Sequence, residues 1–343
     1  MQKDNNPLPT SPSRGGEKNG NNPLPTSPSR GGERTVITPS RPPPQGEEKR
    51  TVITPSRPPP QGEEKRTVIT PSRPPPQGEE KRTMRDFSLD IYRELIETLQ
   101  SQGYEFITFA QYCKSKGEKK KGKYIILRHD VDARPKNSLR TAQIERSTSV
   151  KASYYFRVGR ESNNPDVIRA IVQLGHEIGY HYEDMSLCKG NAEKAYSHFT
   201  SWLEYFRYYY AVETICMHGS PTSKYDNKDL WKTYDYKELG LIGEPYLDTD
   251  FSDVFYLTDT GRCWDGYQVS RRDKIPEFQD KWTAAGLTWH TTPELIDAIK
   301  QGLLPAHVMI TTHPQRWTNN AILNKKEEIL QSIKNSIKRL LIC

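Results

Sequence analysis

From about Met84 to its end, the chain reads as an α/β domain, a parallel sheet of β/α units curving into a distorted barrel. Three observations predict this. Short apolar runs alternate with helical patterns from residue 89 onward, the sequence form of parallel β/α units. The runs Tyr124-Ile125-Ile126-Leu127 and Val308-Met309-Ile310 are continuously apolar, as strands covered on both faces are. Polar clusters then follow the strands directly: Asp130-Val131-Asp132, His181, His218, Asp259 and His313. In an α/β barrel the carboxyl ends of the strands are where catalytic groups gather, so closure would bring these residues to one rim.

The elements are predicted in order. Ser88 caps a helix whose apolar face is Leu89, Ile91, Tyr92, Leu95, Ile96 and Leu99, and Gly103 ends it. A strand follows from Tyr104 to Phe109, then a solvated basic loop from Lys116 to Lys123, then the strand at 124–127. A helix is expected over Pro135–Ser147 and a strand over Ala152–Val158. Asn164-Pro165 opens a helix that Gly175 stops, and Ile178–Tyr182 is a strand. A long helix covers 191–211, and strands cover Thr214–Met217 and Val254–Leu257. A helix from Pro293 to Gly302, the strand at 308–310 and a basic amphipathic helix over 325–341 complete the pattern.

Residues 1–83 differ in kind. NNPLPTSPSRGGE occurs at 5–17 and 21–33, and TVITPSRPPPQGEEKR occurs three times in tandem over 35–82. Residues 1–82 hold 18 of the 26 prolines, and their apolar residues come singly or in pairs. That is too little apolar area to offset the entropy of ordering the chain, so 1–83 is expected to be a disordered repeat tail. The folded domain is then 84–343.

Composition excludes several functions. The tail has 14 Lys+Arg against 9 Asp+Glu, so it carries +5 of the net +7 and leaves the domain near neutral. No nucleic-acid partner is expected on that basis. No stretch approaches the roughly 20 apolar residues that span a bilayer, so no membrane role is expected. The five cysteines are scattered with no CxxC pair, which argues against a disulfide framework or a structural zinc site. The start Met-Gln-Lys-Asp-Asn-Asn-Pro has no apolar signal core, and a cytoplasmic setting is the expectation.

Asp130 and Asp132 stand two residues apart at a strand end. If the strand continues they share a side, where one carboxylate can ligate a metal and the other serve as base. The stretch Gly175-His176-Glu177-Ile178-Gly179-Tyr180-His181 is superficially like HExxH. On a helix, however, rings five residues apart point about 140° away from each other and share no metal. On a strand the two histidines face opposite sides, so at most one enters a site. His313, in Thr-His-Pro, can protonate a leaving group. Ser220 lacks the GxSxG surroundings of a nucleophile and reads as a turn residue.

Taken together, the order DxD, then GHEIxxH, then a late strand-end His-Pro resembles the polysaccharide deacetylase superfamily, the NodB homology domain of carbohydrate esterase family four. The resemblance runs from Tyr124 to Gln315. It implies a distorted (β/α) barrel that removes acyl groups, typically acetyl, from amino sugars or related carbohydrate amides and esters. It also implies a divalent metal, zinc by expectation, and water attack on the acyl carbonyl. By this resemblance Asp130 is the catalytic base, Asp132 a metal ligand, His181 the first histidine of the metal motif, and His313 the general acid. The second metal histidine would fall at 185, where this chain has Met185. Glu183 or Asp184 then supplies the missing ligand, Asp184 by expectation, or the site holds metal weakly, or it works without one. His218, at the place of a substrate-groove motif, and Asp259 and Trp264 are expected to bind substrate. A carbohydrate-binding barrel without activity and a metal-independent small-amide hydrolase are the alternatives.

Overall fold

A computed structural model gives the fold and describes residues 85–115, 122–264 and 272–342. The expected disordered tail, 1–83, and most of the expected basic loop, 116–121, lie outside the described residues.

Among the described residues the domain is built on seven strands: β1 (Tyr104–Ile107), β2 (Lys123–Val131), β3 (Ser153–Phe156), β4 (Glu177–Tyr182), β5 (Ile215–Met217), β6 (Phe255–Thr258) and β7 (His307–Thr312). Every pairing is parallel. The order is β5-β4-β3-β2-β7-β6, with β1 also paired to β2. The long strand β2 is the hub. On one edge its first half pairs with β1 and its second half with β3, while β7 runs along the other edge. The sheet curls into an incomplete barrel with helices around it, as the alternation predicts.

The helices begin where the sequence offers a cap. Ser88 opens α1 (Leu89–Ser101), and its Oγ accepts from the Ile91 N–H. Asn164 opens α4 (Pro165–Gln173) and Asn191 opens α6 (Ala192–Arg207). These caps satisfy N–H groups that have no partner within the helix, typically about 1 kcal/mol each. The helix α3 (Pro135–Ser147) has the predicted bounds. Four helices were not predicted: α2 (Phe109–Lys114), α5 (Asp184–Leu187), α7 (Pro245–Asp248) and α8 (Pro276–Ala284). In α2, Thr108 and Gln111 form a reciprocal capping box, which shortens the predicted first strand to Ile107. α5 and α7 are one turn each, too short for apolar periodicity to register, and α8 buries only Trp282, so it shows no apolar stripe. The helices α9 (Thr292–Lys300) and α10 (Ala321–Ile342) complete the set.

Strand alternation sorts the side chains. Tyr154, Ile178, Tyr180 and Tyr182 are buried under the helices. Tyr180 meets Phe199 and Phe206 of α6 at 5.2 Å between ring centres. Trp317, fully buried, packs on Phe87 at 4.8 Å and Tyr92 at 5.0 Å. Burial of such a side chain contributes roughly 1.5–3 kcal/mol. The inner face is buried too, but polar. Arg128, Asp130, Ser153, Glu177, His181 and Thr214 all lie there with little or no exposure. Gly179 makes this possible. A Cβ at that position would run into the Tyr155 ring and come within 2.7 Å of the Thr214 carbonyl. Without one, Tyr155 lies across β4 and its hydroxyl reaches Thr214 Oγ1 at 2.9 Å.

Candidate active site

Because all strands run parallel, their carboxyl ends lie at one side of the sheet. Asp130 and Asp132 come from the end of β2, His181 from β4, His218 from just beyond β5, and His313 from just beyond β7. Asp130, Asp132, His181, His218 and His313 line one cavity of about 130 Å³. A larger open cleft of about 490 Å³ lies between Asp86, Arg262 and Asn324. It carries none of the predicted residues.

Two imidazoles face Asp132 with the same edge. His181 Nδ1 is 2.9 Å from the Cys216 carbonyl oxygen, an acceptor only, so Nδ1 carries the hydrogen. Its Nε2 then points to Asp132 Oδ1 at 3.6 Å and Asp130 Oδ2 at 3.8 Å. His218 Nδ1 is 2.9 Å from the Glu183 carboxylate, and its Nε2 is also 3.6 Å from Asp132 Oδ1. Asp132 Oδ1 is buried and has no hydrogen-bond partner. A spacing of 3.6 Å is too long for a hydrogen bond. It is close to the about 3.4 Å between two ligands of a tetrahedral zinc at about 2.1 Å each. An orphaned carboxylate oxygen facing two imidazole nitrogens is a donor set that fits a divalent cation. Burial opposes charge on His181, yet Asp130 and Asp132 outweigh it and raise its pKa. This corner attracts positive charge, whether proton or metal.

Asp130, His181 and Cys216 also present three ligand atoms within 4.8 Å of one another, near enough to hold a metal. There, however, a cation is already built in. Arg128 Nη1 donates to Asp130 Oδ1 at 3.1 Å and to Cys216 Sγ at 2.5 Å. Burial pushes the Cys216 thiol well above its ordinary pKa, whereas a metal needs the thiolate. The Asp132 side of His181 is the better position. Arg128 also donates to the hydroxyls of Tyr246 at 2.9 Å and Tyr256 at 3.0 Å. It holds Asp130 Oδ1 closely and reaches Oδ2 more loosely, at 3.4 Å, on the side toward His181.

The opposite wall is arranged for a proton. His313 Nδ1 is 2.6 Å from Asp259 Oδ1, and its N–H donates to Asp259 Oδ2 at 2.9 Å. Asp259 also accepts from Arg316 and from the Trp317 indole, each at 2.8 Å. Burial would raise the Asp259 pKa, but Arg316 and His313 bring it down to about 2. Burial and Arg316 oppose charge on His313; Asp259 and Asp132 prevail and raise its pKa. Its Nε2 lies 3.8 Å from Asp132 Oδ2.

Three expectations need correction. Asp184 is not near the cavity group: its carboxylate accepts from the Tyr180 hydroxyl at 2.9 Å and pairs with His198 Nδ1 at 2.5 Å. Tyr180 points to the helix side of β4, and Asp184 follows it. Trp264 is core. It is buried, its indole N–H donates to Thr292 Oγ1 at 3.0 Å, and its ring neighbours Trp317. Asp259 is buried and spent on His313, Arg316 and Trp317, which leaves it no free oxygen for a substrate. His176 lies on the outer side of the sheet, its Nε2 3.1 Å from the Ala142 carbonyl, so only His181 of that pair enters the site. Sequence reasoning missed Arg128, Glu183 as a partner of His218, and Asp273, which accepts from Tyr246 at 2.8 Å and Thr258 at 2.9 Å. Arg128 was readable, because strand alternation puts it on the face of Asp130.

No protein-family model matches the chain, and no curated protein matches it. Two of the solved structures similar to it are these. One is the Streptococcus pyogenes deacetylase PplD in complex with acetate, at 12% identity and a TM-score of 0.35, covering 43% of this chain and 70% of that one. The other is a family 4 carbohydrate esterase from Bacillus anthracis, at 13% identity and a TM-score of 0.34, covering 70% of this chain and 84% of that one.

Proposed function

We propose that the domain 84–343 is a hydrolase that removes an acyl group, acetyl by preference, from an amino sugar or a related carbohydrate amide or ester. One observation carries this reading. A carboxylate held by arginine (Asp130) and an imidazole held by carboxylate (His313) line one cavity with an orphaned carboxylate oxygen (Asp132) facing bare imidazole nitrogens.

Asp132 and His181 would hold a divalent cation, zinc by its nitrogen and oxygen donors. Such an ion supplies Lewis acidity, polarising the acyl carbonyl and making a water more acidic. The rest is the work of the chain itself. Asp130, with Oδ1 held closely by Arg128, would use its more loosely held Oδ2 to take the proton of the attacking water. His313 keeps Nδ1 on Asp259, so a proton on Nε2 faces the cavity and can pass to the departing nitrogen or oxygen. Asp259 positions that ring and favours its charged form.

The test is acetate release from a panel of N- and O-acetylated amino sugars by the full chain supplied with zinc. Wild type is expected to hydrolyse at least one of them. Asp130→Asn, with unchanged circular dichroism, should lose about 10²–10⁴-fold in rate. A wild type that binds these sugars yet releases no acetate from any would sink the hydrolase reading in favour of a binding barrel.

A further inference from the structure

We propose that His218 is the third protein ligand of this cation, replacing from β5 the histidine that Met185 leaves absent after β4. The inference rests on the metal reading above and names its missing donor.

Four observations carry it. The first is the shared oxygen: Asp132 Oδ1, buried and unpartnered, lies 3.6 Å from both His181 Nε2 and His218 Nε2. The second is the tautomer. Glu183 accepts from His218 Nδ1 at 2.9 Å, so Nε2 keeps its lone pair toward Asp132. A carboxylate behind a ligating imidazole fixes the ring and raises its basicity.

The third is how firmly His218 is held. Its N–H donates to the Tyr182 carbonyl at 2.8 Å, and its own carbonyl accepts from Asn227 Nδ2 at 2.7 Å. Asn227 is buried and bound in turn to the Ser186 N–H at 3.0 Å. Glu183 is gripped by Arg157, Nε to Oε1 at 2.9 Å and Nη2 to Oε2 at 3.0 Å. A ligating imidazole needs its ring orientation and tautomer fixed by such partners.

The fourth is the fate of the other candidates. Asp184 is committed to Tyr180 and His198, and Glu183 to Arg157 and His218. Met185 is buried in the apolar core, and a thioether is a poor zinc ligand among nitrogen and oxygen donors. The ligands thus come from three places, the ends of β2 and β4 and the residue after β5. The last two strands are direct neighbours, with His181 opposite Cys216.

The test uses the full chain, stripped of metal and titrated with zinc alone. Wild type is expected to bind one equivalent, and zinc-edge X-ray absorption of that form should count two imidazoles. His218→Gln should weaken zinc at least about 100-fold and Glu183→Gln about 10–100-fold. Asp184→Asn and His198→Gln should leave affinity unchanged. One imidazole in wild type, or wild-type affinity in His218→Gln, overturns the assignment; so does loss of zinc in Asp184→Asn. The absorption count needs no variant, so a count of one overturns the assignment even if His218→Gln fails to fold, and a count of two that persists in His313→Gln supports it. Zinc held by two imidazoles in a protein that hydrolyses nothing keeps this assignment while removing the hydrolase reading. A wild type that takes up no zinc removes the assignment itself.

Discussion

Two clusters of one carboxylate and two histidines lie on opposite faces of the same strands. On the helix side Glu145 meets His129 and His176; on the cavity side Asp132 meets His181 and His218. Their composition is nearly the same, but their hydrogen bonding is not. Glu145 accepts from the Tyr92 and Tyr154 hydroxyls and from His129 Nε2 at 2.7 Å. His129 Nδ1 meets Thr312 Oγ1 at 2.5 Å. His176 accepts from the Ala152 N–H at 3.2 Å, and its Nε2 lies 3.1 Å from the Ala142 carbonyl. All of these bonds are short and every group is buried, so the cluster is a closed structural network. In the other cluster the carboxylate oxygen is unpartnered and the ring nitrogens stand 3.6 Å off, beside a cavity. Residue type does not separate a candidate ligand-binding carboxylate–histidine group from a closed structural one. The unmet hydrogen-bonding capacity does.

The sharpest way to break this comparison is to neutralise each carboxylate. Glu145→Gln should cost about 3–5 kcal/mol of stability in urea unfolding, because it strips the charge from a buried, fully paired network. Asp132→Asn, measured with a chelator present, should cost less stability than Glu145→Gln while abolishing hydrolysis. If Asp132→Asn proved the more destabilising of the two, the cavity cluster would be structural after all.

A smaller effect concerns acid stability. Asp259 has its folded pKa lowered to about 2 from an ordinary 3.8. A lowered carboxylate pKa contributes stability above the unfolded value, and that stability is lost as pH falls from 3.8 through about 2. The contribution is about 2 kcal/mol. Acid unfolding of wild type should therefore be steep in that window and shallower in Asp259→Asn.

The activity profile should respond to the same change. His313 must be protonated to donate, so activity falls as pH rises through its pKa. Asp259 raises that pKa, and Asp259→Asn should move the alkaline limb of kcat/KM to lower pH. An unmoved limb would mean that another group is the acid. The smallest expected effect is from deleting residues 1–83, which should leave melting temperature and kcat/KM as they are; a loss of either would mean that the repeats take part in the fold or the reaction.

Much of this was legible from local pattern. Helix starts followed from Ser88, Asn164 and Pro165, and α3 has the predicted ends. The strand ends carrying Asp130, His181 and His313 were found because strand alternation and the step from apolar run to polar cluster are local signals. The short helices α2 and α5 were not found. Nor was the reach of β2 to Val131: Arg128-His129-Asp130 looks like a loop in sequence but is buried strand.

By itself, then, the sequence determined the parallel β/α architecture and the candidates Asp130, Asp132, His181 and His313. Periodicity and strand-end chemistry act between near neighbours in the chain, so they can be read from it. Only the tertiary structure decided who meets whom. It turned Asp184 toward His198, buried Trp264 beside Trp317, gave Asp259 to His313 and brought His218 to Asp132. Those outcomes depend on strand order and on which buried groups find partners, and both join residues far apart in the chain. The place of Met185 shows the difference: sequence marked a missing donor next to His181, and the neighbouring strand brought up another imidazole.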